Sequence, residues 1–133
     1  LRLVLTGTGH DEEAAPAGVE SAGHVPLEEL VSLYRRAACV VFPSLYEGFG
    51  QPPLEALACA TPVACSDIPP LREVCGDAAV FFDPTDAEAI AAGVESALER
   101  RTELSAAGPP RAARFTWSEN ARRHEAVYRE LAG

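Results

Sequence analysis

Phe42-Pro43-Ser44-Leu45-Tyr46-Glu47-Gly48-Phe49-Gly50-Gln51-Pro52-Pro53-Leu54-Glu55-Ala56-Leu57-Ala58-Cys59-Ala60-Thr61-Pro62-Val63 is the stretch whose reading decides the fold. It is entered by the apolar run Cys39-Val40-Val41-Phe42, which stops at Pro43 and is short enough for a strand covered on both faces. Loop 44–50 follows, with Gly48 and Gly50. Pro52-Pro53 then open a helix, because the N–H groups of a first turn have no intrahelical partners and proline removes nothing there. Leu54, Leu57 and Ala58 give this helix a buried face, it ends near Ala60, and Pro62-Val63-Ala64-Cys65 reads as the next strand. Strand, loop, helix and strand in that order call for a right-handed crossover and a parallel pair.

Upstream, Leu27, Leu30, Val31, Tyr34, Ala37 and Ala38 keep the 3.6-residue period behind Pro26, which predicts a helix over 27–37. Residues 21–25 read as a brief extended piece, residues 10–20 as a short helix, and Leu1–Thr6 as a strand that feeds the turn Gly7-Thr8-Gly9. Downstream lie a short helix at 70–74 and an interior strand, Ala79-Val80-Phe81-Phe82. Thr85 with Glu88 forms a capping box for a helix reaching about Arg101, with Ala87, Ile90, Ala91, Val94, Ala97 and Leu98 facing inward. A helix over 102–114 is interrupted by Gly108-Pro109-Pro110. Thr116 with Glu119 repeats the capping signature for a last helix at 117–131, whose packed face is Trp117, Ala121, His124, Tyr128 and Leu131. The fold class is therefore α/β, a doubly wound parallel sheet with helices on both faces. The 133 residues make one domain, which opens on a core strand as a piece of a longer polypeptide would; a natural short chain is the alternative.

Lys+Arg 11 against Asp+Glu 20 leaves a net charge of −9, and the cations are scattered, so nucleic-acid binding is disfavoured. Every one of the eleven cations is arginine, which excludes a Schiff-base lysine and a Walker-type phosphate lysine. No run of eighteen apolar residues and no basic leader with a cleavage site is present. Cys39, Cys59, Cys65 and Cys75 lack ligand spacing and read as small buried hydrophobes in a reducing compartment, hence a cytoplasmic location. No metal site is expected, since His10, His24 and His124 are dispersed.

Ligands of open parallel sheets bind beyond the carboxyl ends of the strands, and loop 43–51 is the one rich in chemistry. Its glycines let a backbone approach a ligand closely, and the helix head behind them offers N–H groups to a phosphate. Glu55 could accept two hydrogen bonds from a ribose diol while Glu47 faces another part of the ligand. The plainer alternative has Glu55 complementing the helix dipole and Glu47 solvated.

The quoted stretch resembles the Glu-x7-Glu segment of the retaining glycosyltransferases of family 4. Its flanks agree: Val25-Pro26-Leu27-Glu28-Glu29-Leu30 with Leu33-Tyr34 is similar to the family's helix before that strand, and Ser66-Asp67 to Asp83-Pro84 to its following βαβ segment. The similarity runs over about residues 1–131 and implies the C-terminal, donor-binding half of a two-Rossmann-domain (GT-B type) enzyme, without its first βα unit. By this resemblance Glu55 binds the ribose, and Gly48, Phe49, Gly50, Gln51 and Leu54 border the donor's sugar and phosphates. Glu47 lies beside the transferred hexose as the catalytic carboxylate, and His24 and Val25 lie near the nucleobase. The donor would be a UDP-, GDP- or ADP-hexose, with no further cofactor and no metal.

The chain also departs from the family. The phosphate-clamping Arg and Lys belong to an earlier strand and loop, the N-terminal acceptor-binding domain is absent, and the stretch between Gly9 and Val19 is short. The chain alone is therefore expected to be inactive. Ala60 stands where a glycine is common, an exchange expected to cost little.

Two other classes remain as alternatives: a non-catalytic nucleotide-binding or subunit-docking module, and a dinucleotide oxidoreductase. Gly7-Thr8-Gly9 invites the latter, but Glu12 stands where the third glycine of the fingerprint belongs. Ser44 and Ser66 lie outside any nucleophile elbow, and Asp67, Asp77 and Asp83 read as turn or cap residues. His124 is expected partly buried on the last helix, and Phe115 and Trp117 are expected to anchor that helix. The resemblance implies that this C-terminal segment crosses toward the missing domain, leaving an apolar patch here.

Overall fold

In a computed structural model of the chain, residues 1–7 and 16–133 are described, and they form two compact units, Leu1–Leu33 and Tyr34–Gly133. In the first unit, β1 (Leu3–Thr6) and β2 (Val19–Gly23) pair in parallel, with Leu3 opposite Val19 and Leu5 opposite Ser21. Gly7 turns the chain out of β1 at φ +111°, and its N–H donates to the Gly23 carbonyl at 2.8 Å. The strand takes in Val19 and Glu20, so it begins earlier than the extended piece expected at 21–25. The rest of the helix expected over 10–20 lies mostly outside the described residues, as do Thr8, Gly9 and His10.

Helix α1 spans Leu27–Arg36, close to expectation, with Glu28 and Glu29 in its first turn and Arg35 and Arg36 in its last, each complementing the helix dipole. The second unit holds β3 (Val40–Phe42), β4 (Val63–Ser66) and β5 (Val80–Phe82), paired in parallel in that order. Every residue of the central strand β4 is buried, which is why its sequence is a continuous run rather than an alternation. Between and beyond the strands run α2 (Gln51–Ala58), α3 (Pro69–Cys75) with a 3₁₀ turn at Gly76–Ala78, α4 (Ala87–Glu99), α5 (Arg101–Ala112) and α6 (Trp117–Ala132). Ala64, Phe82, Ala97 and Leu104 form one core cluster, against which Val41, Val80, Ile90 and Val94 pack.

Several expectations are corrected. The cap of α4 is Asp86, whose carboxylate accepts from the N–H groups of Glu88 and Ala89, while Thr85 instead donates its hydroxyl to Asp83 at 2.6 Å. On α2 the buried face is Pro53, Ala56 and Leu57, the i, i+3, i+4 set; Ala58 is exposed. Helix α5 does not break at Gly108-Pro109-Pro110. A Cβ on Gly108 would sit 2.8 Å from the Leu57 carbonyl oxygen, so α5 lies directly on the backbone of α2, and this packing carries the helix past two residues that cannot donate to its ladder.

Helix α6 keeps its expected cap, with Thr116 Oγ1 accepting from the Glu119 N–H at 3.1 Å. The Glu119 carboxylate does not return to Thr116 but pairs with Arg122 and Arg123, each at 2.7 Å. The expected packed face is open: Trp117 is 88% and Leu131 80% exposed, Tyr128 and His124 are exposed, and no residue of α6 is buried. Trp117 therefore anchors nothing, and His124 is tied only locally, its Nδ1 lying 2.9 Å from the Asn120 carbonyl. The periodicity is that of an amphipathic helix, but periodicity does not supply a surface to cover it. Cys65 and Cys75 are buried as expected, whereas Cys39 and Cys59 are only half-buried; all four are free.

Ala60 sits at φ +58°, the left-handed region that L-residues disfavour, just past the end of α2. Its Cβ thus carries a conformational cost that glycine would not. Ala60→Gly is expected to raise stability by about 0.5–1 kcal/mol, the relief of backbone strain exceeding the added flexibility of the unfolded chain. Gly108→Ala is expected to lower stability by about 2 kcal/mol, because backbone cannot yield as a side-chain tip does. Urea unfolding of the two variants checks both signs.

Candidate functional site

Strands β3, β4 and β5 run parallel, so their carboxyl ends share one edge, and the loop 43–50 leaves from the first of them. The Ser44 hydroxyl lies 2.9 Å from the Tyr46 carbonyl and 2.8 Å from Glu47 Oε1, sharing its one proton between two acceptors of its own loop. Glu47 is thereby held half-buried, while Leu45, Tyr46 and Gly48 beside it are exposed.

The loop closes at Gly50, which is buried and left-handed (φ +101°, ψ 54°) and precedes the first residue of α2. A Cβ there would run into Leu71 Cδ2 on α3, so the dihedral requires glycine and the packing favours it. Pro52 and Pro53 carry no N–H, and the Leu54 N–H donates back to the Gly50 carbonyl at 3.3 Å. The donors left at the helix head without an intrahelical partner are those of Gly50 and Gln51, continued by the loop amides of Phe49 and Gly48.

Glu55 is the fifth residue of α2, and the first turn of the helix contains no acid. Dipole complementarity therefore explains little of its placement. Instead the Tyr34 hydroxyl donates to Glu55 Oε2 at 3.2 Å and Gln51 Nε2 donates to Oε1 at 3.3 Å. Tyr34, at the end of α1, is 9% exposed, and its carbonyl accepts from Thr61 Oγ1 at 2.7 Å. Burial, and then the charge of Glu55, push the Tyr34 phenol above its ordinary range, so it stays protonated and donates. Each carboxylate oxygen of Glu55 keeps a lone pair, enough for two hydroxyl groups of one ligand.

Phe49 is 45% exposed and meets the edge of Phe115 in a T-shaped contact, ring centroids 5.8 Å apart. Phe115 thus acts as an anchor, though to the loop rather than for α6. Of the sequence-predicted residues Glu47, Gly48, Phe49, Gly50, Gln51, Leu54 and Glu55, which follow one another from the loop into α2, Gly50 is buried, Glu47, Leu54 and Glu55 are half-buried, and Gly48, Phe49 and Gln51 are exposed. His24, exposed, and Val25, half-buried, follow β2 in the first unit and are described with that unit alone. Asp83 is a turn residue as expected: the Thr85 hydroxyl donates to its Oδ1 at 2.6 Å and the Thr85 N–H to the same oxygen at 2.8 Å, contacts that hold the carboxyl below the usual range, the hydroxyl contributing most. Asp67 neither turns the chain nor caps α3 but pairs with Arg72, whose Nη2 donates to Oδ2 at 2.6 Å and whose guanidinium lowers the Asp67 carboxyl likewise. Among the described residues no three His, Cys, Asp or Glu side chains converge as metal ligands. The sequence reading missed Tyr34, Ser44 and Thr61 as supports. A tyrosine at a buried helix position, which needs a partner for its hydroxyl, is the signal that pointed to the first.

The sequence model of the glycosyl transferases group 1 matches residues 10–124. The chain belongs to this family. O-antigen chain mannosyltransferase B of Escherichia coli is 45% identical over 98 residues, which are 71% of this chain and 26% of that protein. The D-inositol 3-phosphate glycosyltransferase of Corynebacterium diphtheriae is 37% identical over 112 residues, 80% of this chain and 26% of that protein. The chain spans about a quarter of the length of these relatives. Among solved structures, sucrose-phosphate synthase from Thermosynechococcus elongatus superposes with a TM-score of 0.79 at 27% identity, over 98% of this chain and 38% of that one. The α/β architecture of this group 1 chain, with its parallel sheets, is that of the GT-B glycosyltransferases.

Gly50→Ala is expected to destabilise the protein by about 2 kcal/mol through the left-handed dihedral and the contact with Leu71. Tyr34→Phe is expected to lower stability by about 1 kcal/mol, the net worth of the hydrogen bond to Glu55. Thermal and denaturant unfolding of the two variants measure both effects.

Proposed function

We propose that this chain is the donor-binding part of a retaining glycosyltransferase that moves a hexose from a nucleoside-diphosphate sugar to an acceptor. The observation that carries the reading is Glu55, held on both oxygens by the neutral donors Tyr34 and Gln51, one turn beyond a glycine-led helix head. In this reading Glu55 accepts the two ribose hydroxyls, and the Gly50 and Gln51 amides meet the diphosphate. Glu47, kept in place by Ser44, faces the transferred sugar. Family membership supports the assignment, and the names of the relatives, a mannosyltransferase among them, favour a hexose.

Transfer with retention then proceeds on one face of the sugar. The acceptor oxygen bonds to the anomeric carbon as the bond to the diphosphate breaks, and a departing phosphate oxygen takes the acceptor's proton. Glu47 stabilises the positive character that develops on the ring, without forming a bond to it. The rest of the protein supplies the acceptor-binding domain and the cations that clamp the diphosphate, so the chain alone binds donor without transferring it. No metal or further cofactor enters the reading, and the location that fits it is cytoplasmic.

Calorimetric titration of the chain with UDP, GDP, ADP and NAD tests the proposal. One nucleoside diphosphate is expected to bind, with affinity falling about tenfold, or 1.4 kcal/mol, in Glu55→Ala. Binding of NAD alone, or a Glu55→Ala variant that binds as well as the parent chain, would overturn it.

A further inference from the structure

The end of α5 reaches the candidate site from behind. Arg111, in its last turn, donates from Nε to the Val74 carbonyl at 2.8 Å and from Nη2 to the Glu73 carbonyl, satisfying acceptors that the end of α3 leaves open. Gly76 makes room for it: a Cβ there would come within 3.2 Å of the guanidinium carbon. The same guanidinium lies 5.4 Å from the ring centroid of Phe115, and the Phe115 ring meets Phe49 at an interplanar angle of 74°. Phe49 immediately precedes Gly50, the left-handed residue whose other side is set by Leu71, fully buried on α3. Helix α3 therefore braces the 49–50 turn twice, directly through Leu71 and indirectly through Arg111 and Phe115. Gly108 fixes the same α5 against α2 at Leu57.

We infer that Phe115, backed by Arg111, is a positioning residue for the donor loop, setting the backbone of Phe49 and Gly50 and hence the direction in which the Gly50 and Gln51 amides point. The role follows from where the ring sits. A left-handed glycine has no side chain of its own to fix its dihedrals, so the neighbours of the residue before it must do so. An edge-to-face pair and a cation over a ring supply directional contacts, where an aliphatic side chain would supply only bulk. The inference rests on the donor-binding reading for the part the amides play, though not for the position of the loop.

Amide spectra of the isotope-labelled chain, followed by titration with UDP, GDP and ADP, test it. In Phe115→Leu the amides of Gly48, Phe49, Gly50 and Gln51 are expected to shift and exchange faster with solvent while those of β4 stay in place. Affinity for the diphosphate that the parent chain binds is expected to fall about threefold to tenfold. Phe115→Tyr, which keeps the ring, is expected to restore both. Should Phe115→Leu fail to fold, Arg111→Gln leaves the ring pair in place and is expected to shift the same four amides by less. Unmoved loop amides in a folded variant would overturn the inference, as would displaced amides with unchanged affinity. Failure of the parent chain to bind any of the three diphosphates would strike the donor reading instead, and the loop amides would still decide whether Phe115 sets the loop.

Discussion

Two helix backbones meet at Gly108, where the absence of a side chain lets α5 rest on the carbonyl of Leu57 in α2. Much of the second unit depends on that approach. It fixes α2 from behind, so that the helix head faces outward past Gly50, and it carries α5 through Pro109 and Pro110, where local preference favours a break. It also delivers the end of α5, with Arg111 and Phe115, to α3 and to the loop. A bulkier residue at 108 would move all of these together, because close-packed elements shift as blocks.

The site is built mostly from neutral donors around charged acceptors. Among the described residues the hydrogen-bond partners of Glu47 and Glu55 are hydroxyls and an amide. A carboxylate paired with arginine is already satisfied, whereas one steadied by a hydroxyl or an amide keeps its charge and part of its hydrogen-bonding capacity for a ligand. The two prolines at the head of α2 act in a complementary way. By removing two N–H groups they leave the amides of Gly50, Gln51 and the loop before them as the donors at this end of α2, so the backbone angle at one glycine sets the direction in which those donors point.

Much of this was legible in the sequence wherever local chemistry and packing agree. The apolar runs of β3, β4 and β5, the period of α1 and the Thr116 cap each follow from rules that span a few residues. The motif from Glu47 to Glu55 identified both the loop and the family. What escaped the sequence depended on distant partners. The continuity of α5 rests on Leu57, and the hold on Glu55 rests on Tyr34, each far away along the chain. Asp86 displaced Thr85 as a cap because two acceptors competed for one helix start and Asp83 took the threonine hydroxyl. The face of α6 misled in the opposite sense, since its spacing is that of a packed helix while its residues lie open. Ala60, read as a neutral exchange, sits in a left-handed conformation that a linear sequence does not display.

The bracing of the loop by Phe115 also orders events in time. A chain made from its N-terminus presents Ser44 through Gln51 long before Gly108, Arg111 and Phe115 exist. The strands and α2 can assemble as they emerge, but the turn at Phe49 and Gly50 gains its second brace only when α5 has been completed and has docked. The surface carrying Glu47 and Glu55 is therefore among the last parts of the unit to mature. A nascent or prematurely ended chain that stops short of α5 retains the motif in its sequence without the shape that gives the motif its use.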